Sequence, residues 1–173
     1  MKLLMLISAL LFVTLIGTAQ VGHGLEGVRN AFQGVEDRED LQRILALDLS
    51  SMEQGDRNVL LAYQGAASCM MANYVFSPLS KLGYFKEGRV LIEQSISSER
   101  NAENVYLRML IQLHVPKLLN YHEDIREDLD YLQRNLPDFA ASVSFKETMI
   151  ANLSVAAKKD EIRNALLQIP ISE

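Results

Sequence analysis

A single cysteine, Cys69, stands in the 173 residues. It excludes an intrachain disulfide, so the fold must be held by packing. No stretch alternates apolar and polar residues as a half-buried strand does, and neither low-complexity sequence nor a long linker is present. No glycine-rich phosphate loop occurs, and no serine sits in a nucleophile-elbow context. Positive charge is also in deficit: 17 Lys and Arg face 22 Asp and Glu, for a net charge of −5. That balance argues against nucleic acid or an anionic membrane as the partner.

What is present begins with an export signal. Lys2 is followed by an apolar run from Leu3 to Ile16 and then by the small residues Gly17, Thr18 and Ala19. This is the pattern of a secretory signal peptide over residues 1–19, with cleavage after Ala19 leaving Gln20 first. The apolar run is shorter than the roughly 20 residues a spanning helix needs, so no stable membrane insertion is expected after cleavage. No cysteine ends the run to carry a lipid anchor. Loss of Lys2 makes the mature chain one unit more negative than the full chain. Residues 20–173 suit one domain, exported to the periplasm or the outside, large enough to bury a core unaided.

Helical spacing then runs along the chain. Leu25, Val28, Phe32 and Val35 predict a short first helix, weakened by Gly24, Gly27 and Gly34. Asp37 is placed to cap a second, with Leu41, Ile44, Leu45 and Asp48 on one face. Asp56 is expected to cap the longest helix, to about Tyr74. One of its faces carries only the small residues Gly65, Ala66, Ser68, Cys69 and Ala72, which lets a neighbouring helix come close. Ser77 and Pro78 start the next helix, to about Ser97. Asn101 caps one that ends near Val115 and Pro116. Asn120 with Glu123, and Ser144 with Glu147, have capping-box spacing for two further helices. A last helix spans about Asp160 to Gln168. The fold class is all-α, with antiparallel hairpins over 56–97 and 102–135 and capping helices over 138–173.

Phe85, Gly88, Ile92 and Ser95 recur at helical spacing, and Asn101 then opens a new apolar period at Val105 and Tyr106. This order resembles a tetratricopeptide repeat. The resemblance places Gly88, Ile92, Ser95 and Arg100 at the family's small, large, small and turn positions, with Gly65 on the opposing helix. It implies a short, irregular array of helical hairpins that binds protein. Arg100 departs from the pattern, since the family usually has proline there. The chain is also similar to small exported bacterial proteins without assigned function, through NVYLRMLIQ at 104–112 and LLNYHEDIREDLDYL at 118–132.

Few residues carry chemistry. His122 heads an acidic run of Glu123, Asp124, Glu127, Asp128 and Asp130. A zinc-protease helix needs a second histidine where Arg126 stands, and a calcium loop needs glycine and alternating oxygens, so the run reads as a solvated helix face. Cys69 lies among Ala66, Ala67, Met70 and Met71 and reads as a small core residue. His23 falls near the N-terminus and His114 beside the Pro116 break, neither in a catalytic context. Asn152 opens an N-x-S sequon, relevant only in a eukaryotic secretory pathway. Tyr74, Phe76, Tyr84, Phe85 and Tyr106 flank the best hairpin, with Lys81, Lys86, Arg89 and Arg108 nearby. Lys81, Tyr84, Lys86, Arg89 and Arg108 are therefore the expected partner surface.

These features together predict a helical scaffold that binds a protein or peptide, without catalysis or a cofactor. Two alternatives are a small helical enzyme or metal-binding protein using His122 and its carboxylates, and an all-helical carrier that encloses an apolar ligand between the methionine-rich helix and its neighbours.

Overall fold

A computed structural model describes residues 24–50 and 52–171. Residues 1–19, read above as a signal peptide, and Gln20 and His23 lie outside the described residues. Among these residues there are eight α-helices and no strand, so the chain is all-α. They are α1 (Leu25–Gln33), α2 (Arg38–Leu45), α3 (Gln54–Met71), α4 (Pro78–Ser98), α5 (Ala102–His114), α6 (Ile125–Asn135), α7 (Val143–Ala156) and α8 (Asp160–Leu167). Short 3-10 turns follow α3 at Ala72–Tyr74 and α5 at Lys117–Leu119.

Where a short polar side chain can reach the free N–H groups of a first turn, the helix starts there. Asp37 accepts from the Glu39 and Asp40 amides, and Asp40 reaches back, closing a capping box on α2. Asn101 and Asn104 do the same for α5. Ser77 caps α4 with Pro78 in the first turn.

Three of the expected starts are corrected. The first helical residue of α3 is Gln54, because the Glu53 carbonyl already accepts from Arg57 at 2.9 Å; Asp56 sits inside the first turn. Asn120 caps no helix. It adopts the left-handed conformation (φ 53°), which asparagine tolerates, and closes the 3-10 turn by donating its N–H to Lys117. The cap of α7 is Ser142, whose hydroxyl accepts from the Phe145 amide at 3.2 Å, while Ser144 and Glu147 lie within the helix. In α2, the apolar face ends with Leu45, and Asp48 turns away to bind the amide and hydroxyl of Ser50.

α3 and α4 run antiparallel in close contact. Asn58 meets Ser95 and Glu99, Gly65 meets Gly88 and Ile92, and Ser68 meets Tyr84. Gly65 and Gly88 face each other so closely that neither has room for a methyl group. A Cβ on Gly65 would lie 2.6 Å from the Gly88 carbonyl oxygen and 2.8 Å from Ile92 Cγ1. One on Gly88 would overlap the Gly65 carbonyl and lie 2.6 Å from Cys69 Sγ. Even alanine overfills Gly88, because backbone as well as side chain meets the added methyl.

At the other end of the pair, the fully buried Ser95 hydroxyl donates to the Asn58 carbonyl (2.7 Å) and accepts from Asn104 (3.1 Å). Asn104 also donates to the Glu99 carbonyl at 2.7 Å. This buried polar knot ties α3, α4 and α5 together and satisfies groups that would otherwise be costly to bury.

The helix buried all round is α5. Its apolar run Val105, Tyr106, Leu107, Met109, Leu110, Ile111 and Leu113 is packed on several sides, and its polar stripe of Asn104, Arg108 and Gln112 is buried as well, as a central helix requires. α6 lies antiparallel to it, with Gln112 meeting Asp124 and Arg108 meeting Asp128. On α7, Asn152 donates to the hydroxyl of the buried Tyr106 at 2.9 Å, so the sequon asparagine is already engaged. Arg163 of α8 donates to the Ser154 and Ala157 carbonyls, closing the end of α7.

Candidate functional site

Where the C-terminal ends of α1, α3 and α5 meet the start of α4, the helices leave a cleft of about 600 Å³. The turn after α5 and Asn152 of α7 complete its wall. Its floor is apolar and buried: Phe32, Cys69, Phe85 and Ile111. Half-buried Met70, Leu82, Leu110 and Leu119 rise from it. The exposed rim carries Gln33, Asn73, Lys81 and His114, with no acidic side chain. Leu118 also lines the cleft while 93% exposed, and Phe76 and Leu79, on either side of the lining Pro78 in sequence, are exposed as well.

The local sequence explains this shape. Pro78 starts α4 abruptly, so the chain turns out of the α3 axis over Val75–Ser77 before the two helices close on Gly65 and Gly88. Pro116 ends α5, and the 3-10 turn it leads into holds Leu118 and Leu119 at the opening. The floor is fixed by packing: Phe85 meets Tyr121 edge to face at 5.7 Å, and Phe32 meets Tyr63 at 5.1 Å. Cys69 is buried, its thiol donating to the Phe85 carbonyl at 3.7 Å. Burial pushes that thiol up to about 12, so it is a floor group and no nucleophile at neutral pH. His114 donates Nδ1–H to the Leu110 carbonyl at 2.8 Å, which fixes its ring at the rim.

The residues expected to form one partner surface are dispersed. Lys81 is on the cleft rim. Tyr84 is half-buried, Lys86 is exposed, and exposed Arg89 stacks over the Tyr121 ring at 4.8 Å. Arg108 is corrected outright. It is buried and donates to Asp128 through Nε (2.8 Å) and Nη2, and to Glu93 through Nη1 (3.0 Å). The residues that the resemblance would make repeat positions, Phe85, Gly88, Ile92, Ser95, Gly65 and Tyr106, are all buried.

The acidic run is not one solvated face. Glu123 and Asp130 are exposed, but Asp128 is fully buried between Arg108 and Arg100. Arg100 also pairs with the exposed Glu127 and covers the Tyr131 ring at 4.4 Å. The His122 ring turns from the acids, its Nε2–H donating to the Val115 carbonyl at 3.2 Å. Among the described residues no three His, Cys, Asp or Glu side chains are grouped to hold a metal.

A second buried charge escaped notice in the sequence. Glu103, fully buried, accepts from Arg29 at 2.8 and 2.6 Å and from the Tyr63 hydroxyl at 2.7 Å. The Glu103 hydrogen bond holds the Arg29 guanidinium above its ordinary range. Its signal was weak: a single acid in the first turn of a largely apolar helix, where acids are common.

No protein-family model, no curated protein and no solved structure matches this chain.

Proposed function

We propose that this chain works by binding, without chemistry, and that the cleft beside α3, α4 and α5 is where it receives an apolar ligand. The observation that carries this reading is the cleft itself. It has an apolar, buried floor and a polar rim, and its volume falls within the roughly 300–1,000 Å³ of small-molecule sites. A thiol held protonated and a histidine committed to a helix carbonyl supply no nucleophile–base pair there. In this reading the chain is an exported carrier, with the signal-like residues 1–19 giving its route. The α3–α4 pair is taken as a degenerate tetratricopeptide-like hairpin, supported by the Gly65–Gly88 approach.

A peptide or protein partner is the second reading. It is favoured by the exposed apolar Leu118 in the lining and the exposed Phe76 and Leu79 on either side of Pro78 in sequence, which an amphipathic helix would cover.

N-phenyl-1-naphthylamine, a neutral dye that fluoresces in apolar surroundings, tests the first reading. One site per chain is expected, lost in Leu82→Trp, which fills the cleft from a half-buried position. Dye that never brightens with folded protein, or brightens equally with the variant, would rule it out.

A further inference from the structure

Resting on the reading of the cleft as a ligand seat, we propose that its ligand is an anionic single-chain amphiphile, a carboxylate on an unbranched hydrocarbon chain, held with the chain on the floor and the head at the rim. The lining has a gradient of burial that matches such a molecule. Phe32, Phe85 and Ile111 are buried and apolar, while the polar lining residues Lys81 and His114 are exposed. Hydrocarbon gains by entering the first environment, and a charged head keeps its hydration at the second.

Charge then selects the head. Lys81 is the lining side chain that carries a positive charge, and no Asp or Glu lines the cleft to oppose it. Lys81 comes from the first turn of α4 and His114 from the last turn of α5, so two elements bring them to one opening. Neither side chain pairs with an acid among the described residues, whereas Arg29, Arg100 and Arg108 are all committed to carboxylates. On a chain of net charge −5, an opening with a lysine and no acid is a local reversal of sign. A carboxylate there gains an ion pair that an alcohol or an ammonium head does not.

The test compares laurate, 1-dodecanol and dodecyltrimethylammonium, each below its micellar concentration, by calorimetric titration or dye displacement. The expected order is laurate tightest and the ammonium compound weakest. Lys81→Met should weaken laurate about three- to tenfold and leave dodecanol unchanged. Shortening laurate to decanoate should weaken binding by up to about fourfold for each methylene lost. Equal binding of laurate and dodecanol, both lost in Leu82→Trp, would overturn the anionic ligand while leaving the cleft as a seat. Absence of binding by all three, or binding indifferent to Leu82→Trp, would overturn the cleft reading and the inference with it.

Discussion

Replacing Gly88 by alanine sets two effects of opposite sign against each other, and the structure decides between them. On propensity alone a mid-helix glycine costs about 1 kcal/mol against alanine, so the change should stabilise α4. The new methyl, however, would overlap the Gly65 carbonyl oxygen and come within 2.6 Å of Cys69 Sγ and 2.8 Å of Cys69 N. Two of these three neighbours are backbone of α3 and yield only if the helices separate. Overpacking typically costs about 1–3 kcal/mol, and a backbone obstacle puts Gly88 in the upper part of that range. Net of propensity, Gly88→Ala should destabilise the protein by about 1–2 kcal/mol. Gly83 supplies the control, because it lies in the same helix, is exposed, and would place its Cβ in open space. Gly83→Ala should stabilise by up to about 1 kcal/mol. Urea denaturation reads both. With a slope of roughly 2 kcal/mol per molar, Gly88→Ala should lower the midpoint by about 0.5–1 M while Gly83→Ala raises it. A Gly88→Ala midpoint at or above that of Gly83→Ala would refute the backbone-to-backbone approach of α3 and α4.

Glu103→Gln should cost on the order of 3 kcal/mol, the lower end for breaking a buried pair because Arg29 keeps 13% side-chain exposure; a urea midpoint unchanged from wild type would contradict the buried pairing. Backbone N–H groups at Glu36 and Asp37 hold Asp40 below its ordinary value, Ser50 does so for Asp48, and Arg100 for Glu127. A depressed folded-state pKa gives stability that is present above the unfolded value near 4 and lost as pH falls through the folded one. The acid loss of stability should therefore be shallower in Asp40→Asn, and equal steepness below pH 4 would count against these contacts. Cys69, with its thiol near 12, should resist Ellman's reagent at pH 8 until urea unfolds the chain; rapid labelling of the native protein would show the floor to be open. Mass spectrometry of the protein from its native cells should find Gln20 or a close neighbour at the N-terminus, and an intact Met1 in the membrane pellet would oppose the signal reading.

Much of the fold was legible because the residues that make helices act locally. Asp37, Ser77 with Pro78, and Asn101 each fix a helix start through a bond to the next turn, and all three are where the sequence put them. The small face of α3 likewise pointed to a close neighbour, and Gly65 and Gly88 meet across it. Local spacing misled where two residues competed for one role. Ser142 and Ser144 both precede an apolar period, and it is the Ser142 hydroxyl that accepts from the Phe145 amide. Arg108 and Asp128 look like surface residues by type, and only the pairing of α5 with α6 buries them together. The cleft was the least legible feature. Its lining comes from α1, α3, α4, α5, α7 and the turn after α5, so residues as distant as Phe32 and Asn152 share it without any motif. An apolar Leu118-Leu119 pair inside a turn was the nearest thing to a signal.

The cleft as a ligand seat is tested most directly by methyl NMR of the protein titrated with N-phenyl-1-naphthylamine, whose lack of charge separates this question from that of the head group. Binding there should shift the methyl signals of Met70, Leu82, Leu110 and Ile111, which line the cleft, and leave Leu60 and Leu132, buried elsewhere, in place. Shifts at Leu60 and Leu132 with the cleft methyls unmoved, or no shift at saturating dye, would contradict it.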